Sequence, residues 1–138
     1  MTETATPDIV DPEEEARARA QVEAALDAAL RRFYEKVRDD ALIGPVFAGV
    51  VHDWEAHIGA MRDFWSRALL GTERYTRQPF LPHVPLRLGP EHFARWVELW
   101  RAAARETMPP RLAEHVAAMG ENMSHCWGRA LMGMREQA

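Results

Sequence analysis

Apolar residues recur along this chain at spacings of three and four with polar residues between them, which is the period of amphipathic helices. The stretch "DPEEEARARAQVEAALDAALRRFYEKV" opens on Asp11 as an N-cap, Pro12 at the first helical position and Glu13 to Glu15 at the positive end of the helix dipole. Its second half places Leu26, Leu30, Phe33, Tyr34 and Val37 on one face. Gly44, Pro45 and Gly49 interrupt "DDALIGPVFAGVVHD", so this segment reads as a short helical turn and loop presenting Phe47 and the valines. Asp53 caps "WEAHIGAMRDFWSRALLG", where Trp54, Met61, Phe64, Trp65 and Ala68 keep the period until Gly71 ends it. His57 projects close to the centre of that stripe. Residues 71 to 89 form a long loop with three prolines and no period. Pro90 reopens a helix with Phe93, Trp96, Val97 and Trp100 as its stripe. Pro109 and Pro110 separate it from a last helix whose apolar face reads Leu112, Val116, Met119, Met123, Cys126, Trp127, Ala130, Leu131 and Met134.

Every long segment is therefore helical, and the fold class is all-α. With 138 residues the chain is long enough to bury roughly 70% of its unfolded surface in one core. The expected organisation is a flexible tail over residues 1–10 and a single domain over 11–138, with a helical extension before about residue 20. No run of about 18 apolar residues exists to cross a membrane. The start of the chain has neither the basic nor the apolar segment of a signal peptide, so a cytoplasmic setting is expected. The formal net charge is −4 and the arginines are scattered, which argues against a nucleic-acid surface. The lone Cys126 can make neither an internal disulfide nor a thiolate cage, and its place in an apolar pattern reads as a buried structural thiol.

Candidate chemistry lies in the six histidines. His125 and His52 read as solvated, and His92 and His115 as boundary residues of their helices. His57 is either an idle core histidine or a functional one. His83, in "PFLPHVPLRLG", is either a surface residue of a proline-rich loop or a ligand. Its neighbours Phe80, Leu81, Val84 and Leu86 would be poorly placed in water. No His-x3-His pair, His-Glu-x2-His motif or cysteine cluster is present, so a bare ion would be under-coordinated. A haem iron takes four nitrogens from its macrocycle and needs one neutral imidazole from the protein. The Trp, Phe and Met content suits a wide apolar wall around such a group, although stripes of this kind also make plain core.

In order along the chain, "RRFYEKV", "GPVFAG", "HIGAMRDFWSRALLG" and "FLPHVPLRLGPEHFARW" resemble the landmarks of the truncated haemoglobins, short globins with a two-over-two helical sandwich. The resemblance runs from about Leu30 to Trp127. The distal His57 with Tyr34 and Trp96, the short turn at Gly71 and the absence of the usual glycine pairs are most similar to the third group of that family. It implies a haem b cofactor with His83 as the iron ligand. It further implies a distal set of Tyr34, His57 and Trp96, and pocket walls from Phe33, Phe47, Trp54, Met61, Phe64, Trp65, Phe80 and Val84. His92 sits where the family has an ordinary residue. Arg77 and Arg87 flank the proximal loop and either meet the haem propionates or face solvent.

The expected function is binding of O2, CO, NO or cyanide, with donors that retain O2. That suits redox use such as NO or peroxide detoxification, supplied by an unidentified reductase, better than bulk oxygen transport. Any catalytic role would fall to Tyr34, His57 and Trp96. Direct coordination of the iron by His57 in the ligand-free state is a second possibility. Two readings from other classes stand beside this one: a cofactor-free helical interaction module, and a helical small-ligand sensor. The sensor lacks a basic helix-turn-helix and an output domain.

Overall fold

A computed structural model describes residues 11–136; the N-terminal tail expected over residues 1–10 lies outside them. Five α-helices follow in order: α1 (Pro12–Asp39), α2 (Gly44–Ala48), α3 (Trp54–Leu70), α4 (Pro90–Thr107) and α5 (Pro110–Glu136). A 3-10 helix, Leu81–Leu86, lies in the long loop between α3 and α4, and no strand occurs among the described residues. The helices begin where their caps predict. The Asp11 carboxylate accepts from Glu13 N at 3.1 Å, and that of Asp53 from Ala56 N at 3.1 Å. Gly71 closes α3 at φ 71°, a left-handed position that glycine takes without strain, and its N–H bonds to Arg67 O.

α1 buries Leu26, Ala29, Leu30, Phe33, Tyr34 and Val37, the face its period predicts, while residues 11 to 21 are exposed. α3 packs against α1, α4 packs against α1, and α5 packs against α4. These contacts make two helix pairs, α1 with α3 and α4 with α5, joined through α1 and α4. Trp100 sits at the junction. Its ring is 1% exposed, stacks on Trp65 of α3 at 4.9 Å, and meets Phe33 of α1 edge-on at 5.5 Å. Its indole N–H donates to Val116 O on α5 at 3.1 Å, satisfying the polar atom that burial would otherwise strand. Burying an aromatic of this size contributes roughly 1.5–3 kcal/mol.

Two apolar faces differ from their expected composition. On α3, Ala68 is exposed and Ile58 is buried in its place. On α5, Cys126, Ala130 and Met134 are exposed, so the buried-thiol expectation is overturned. The reason is the closeness of α4. α5 meets it through Ala113, Ala117, Gly120 and Ser124, small residues that let the Trp96 and Trp100 rings approach the α5 backbone. Cys126, about 200° round the helix from Ser124, then faces water.

A buried carboxylate ties the α1–α2 corner to α4. Asp40 accepts from Leu42 N and Ile43 N and from Arg95 Nε at 2.6 Å. Burial raises its pKa, but these hydrogen bonds and the guanidinium outweigh it, holding the carboxyl below its ordinary value.

The α4–α5 contact leaves no room at Gly120. A Cβ there would lie 2.7 Å from Trp100 Cδ1 and 3.0 Å from Trp96 Cζ3. Alanine would raise helix propensity by about 1 kcal/mol, but overpacking costs roughly 1–3 kcal/mol. Gly120→Ala is therefore expected to lower stability in urea unfolding by up to about 2 kcal/mol; a more stable variant would show that the two helices do not meet this closely.

Candidate functional site

Below the Trp100 junction the helices enclose a cavity of about 450 Å³, within the size range of small-molecule sites. Each long element supplies a wall for the same reason: its apolar stripe turns inward. α1 contributes Leu30, Phe33 and Tyr34, α2 contributes Phe47, and α3 contributes His57, Met61, Phe64 and Trp65. The loop from Tyr75 to Leu88 supplies a further wall, carrying Arg77, Pro82 and His83. Phe93 and Trp96 of α4 join Met123 and Trp127 of α5 to complete the lining.

Polar atoms in this apolar space are few and specific. Tyr34 OH and His57 Nε2 lie 2.9 Å apart. Either the phenol donates to a bare Nε2 or Nε2–H donates to the phenol oxygen; a neutral imidazole permits both. The side chains are held by their neighbours. The Tyr34 ring meets Phe33 edge-on at 4.8 Å, and Trp54 packs against both Tyr34 and His57. Arg38 lies 4.9 Å above the Trp54 ring. Burial pushes the Tyr34 hydroxyl well above the usual phenol range, so it keeps its proton at any physiological pH. Burial holds the His57 pKa below its ordinary value, and a proton on His83 would lower it further.

His83 shares the cavity with His57, presented by the 3-10 helix. Prolines 82 and 85 tighten this segment, and no α-helical turn forms there. The His83 ring packs on Trp127 at 4.9 Å. Nδ1 donates to Pro79 O at 2.7 Å. That hydrogen bond fixes the tautomer and leaves Nε2 bare, with no protein partner among the described residues. Burial lowers the His83 pKa against the opposing pull of the Pro79 and Phe80 carbonyls.

The Trp96 indole N–H has no protein acceptor among the described residues. The atom diagonally across its ring, Cζ3, faces Gly120, so the N–H edge turns away from α5. Four residues expected in the pocket wall or at its rim do not line it. Trp54 stands behind Tyr34 and His57, Phe80 packs against Trp127 at 6.0 Å, Val84 is half-buried beside the cavity, and Arg87 is exposed at φ 54°. Arg77 is exposed and does border the cavity. Several lining residues escaped sequence reasoning: Tyr75, buried within the long loop, and His92, Met123 and Trp127. His92 was legible in part, because it sits three residues after Gly89 at a helix start, where a side chain can cap backbone N–H groups.

Among the described residues no group of three or more His, Cys, Asp or Glu could hold a bare metal ion. The site instead combines one imidazole with a free Nε2, aromatic and methionine walls, and a hydrogen-bonded polar pair within an all-helical sandwich. That defines a globin-type pocket. Residues 21–127 match the family described as bacterial-like globin, and the chain belongs to that family. It is 34% identical over 80 residues to the group 3 truncated hemoglobin ctb of Campylobacter jejuni; the match covers 55% of this chain and 61% of that relative. The fold is similar to the crystal structure of a group III truncated hemoglobin from Campylobacter jejuni, with a TM-score of 0.74 at 24% identity, covering 79% of this chain and 90% of that one. It is similar also to a thermostable hemoglobin from the actinobacterium Thermobifida fusca, with a TM-score of 0.66 at 23% identity, over 76% and 89% of the two chains. The expected all-α truncated globin fold and the likeness to the third group both hold. The family implies a haem cofactor, and the cavity's size, lining and bare imidazole nitrogen fit one.

The lowered pKa values of His57 and His83 carry a stability consequence in the haem-free protein. Unfolded imidazoles titrate near 6.5, and the folded ones lower. The unfolded chain therefore binds more protons below that pH, so this contribution is complete above about pH 6.5 and is lost as the pH falls. The melting temperature of haem-free protein is expected to drop between pH 7.5 and 5.5, and less steeply in His57→Gln; an equal slope in the variant would remove His57 from the explanation.

Proposed function

We propose that this chain is a haem protein that binds O2 and other diatomic ligands and uses its polar pocket for redox chemistry, such as NO or peroxide detoxification, rather than bulk oxygen transport. The observation that carries the reading is the Tyr34–His57 pair at 2.9 Å inside an apolar cavity that also presents a bare His83 Nε2. His83 Nε2 would hold the iron, since the hydrogen bond from Nδ1–H to Pro79 O keeps Nε2 unprotonated and the ring fixed. The cofactor is haem b, held without thioether links, because the single Cys126 lies exposed on α5 outside the cavity. When bound, the haem iron supplies a coordination position for O2, CO, NO or cyanide.

The chain's own residues set what happens to such a ligand. Tyr34 stays protonated, and with His57 Nε2–H donating to its phenol oxygen its own O–H is left free to donate to the ligand; Trp96 offers an N–H, and His57 orients Tyr34. Fixed donors in a dry pocket favour a ligand that gathers negative charge on its outer atom. Met61, Phe64 and Phe47 exclude water around them. Several donors slow release, which suits turnover supported by a reductase better than carriage. None of the described helices is long and apolar enough to cross a membrane.

Purified protein supplied with hemin is expected to show a Soret band, and His83→Ala to lose the axial-histidine spectrum of its ferrous form. Unchanged coordination in that variant would sink the proximal assignment, and a protein that takes up no hemin would favour a cofactor-free interaction module. Tyr34→Phe deletes one donor, worth about 0.5–1.5 kcal/mol, so O2 dissociation is expected to accelerate roughly 2- to 13-fold. Stopped-flow displacement of O2 by CO measures it, and an unchanged rate would take Tyr34 out of ligand retention.

A further inference from the structure

Of the two loop arginines only Arg77 borders the cavity, whereas Arg87 is exposed and lines none of it, so a second carboxylate would need another partner. His92 does line it. The side chain is half-buried at the first turn of α4, and its Nδ1 accepts the backbone N–H of Gly89 at 2.9 Å. A nitrogen that accepts carries no proton, so the proton of the neutral ring sits on Nε2. The carboxylate of Glu91, largely exposed, lies 3.3 Å from the same Nδ1 and leaves the far edge of the ring alone. Nε2–H has no protein acceptor among the described residues. The result is a rigidly held, unspent N–H donor on the wall of an apolar cavity, at the positive end of an 18-residue helix.

From this geometry we propose that His92 Nε2–H is a carboxylate anchor of the cavity and, resting on the haem reading above, that it binds a haem propionate. Gly89 and His92 then form a unit in which one hydrogen bond serves two ends: it caps α4 and selects the tautomer that donates to the carboxylate. Arg77, at the cavity border, remains available for a second carboxylate. The side chain acts on the cofactor's periphery and not on the iron, which separates its role from that of His83.

The test measures hemin transfer from the reconstituted protein to an excess of a haem-free globin acceptor, for wild type, His92→Asn and His92→Leu. Asparagine keeps a short acceptor for Gly89 N–H and removes the far donor; leucine removes both. Loss of hemin is expected to be about 3- to 10-fold faster in His92→Asn, with wild-type helicity and thermal melting, since a hydrogen bond to a charged group is about twice as strong as a neutral one. The same comparison with hemin dimethyl ester, which lacks charged propionates, is expected to show no difference between wild type and His92→Asn. A His92→Asn protein that keeps hemin as long as wild type, or that is impaired equally with the ester, overturns the anchor and leaves the haem reading standing. A wild-type protein that takes up no hemin overturns both.

Discussion

Trp100 is the constraint on which the rest of the structure depends. One indole touches three helices besides its own: it stacks on Trp65, meets Phe33 edge-on and donates its N–H to the Val116 carbonyl. An indole buried to this degree must find an acceptor, and α5 supplies one at Val116 by running close, which Ala113, Ala117 and Gly120 on its buried face permit. The wedge therefore sets how α1, α3, α4 and α5 stand to one another. It also closes one end of the cavity, because Trp96 and Trp100 belong to the stripe that faces Phe33 on one side and the cavity on the other.

The cavity gains its character from economy of polar atoms. Within it Tyr34 and His57 answer one another, and His83 is tied to its own loop. Burial keeps the phenol protonated and the two imidazoles neutral, and neutral groups are what a metal ligand and a hydrogen-bond donor require. The same burial lowers both imidazole pKa values, so site chemistry and any acid dependence of the haem-free fold would share one cause.

Much of this was legible in the residues. The helices, their caps at Asp11 and Asp53, and the stop at Gly71 follow from local rules that act within a few residues. Tyr34, Phe47, His57, Met61 and His83 line the cavity as their positions suggested, because each lies on an inward stripe or in a loop too apolar for water. Local period was less informative where a helix has two neighbours. On α5 the apolar residues Cys126 and Met134 stand in water while Gly120 and Ser124 are buried, since close approach to α4 favours small volume at those positions. Trp54, Phe80 and Val84 fall just behind the wall, a displacement of one side-chain layer that periodicity does not resolve.

The amino-acid order alone determined the long helices, their caps and the buried face of α1, because those depend on period, caps and prolines. Tertiary structure decided which nitrogen of each histidine is free. His83 Nδ1 is spent on Pro79 and His92 Nδ1 on Gly89, and His57 Nε2 meets a phenol from another helix. A ring nitrogen's role depends on a partner within about 3 Å, and such distances arise only when segments remote in sequence are packed together.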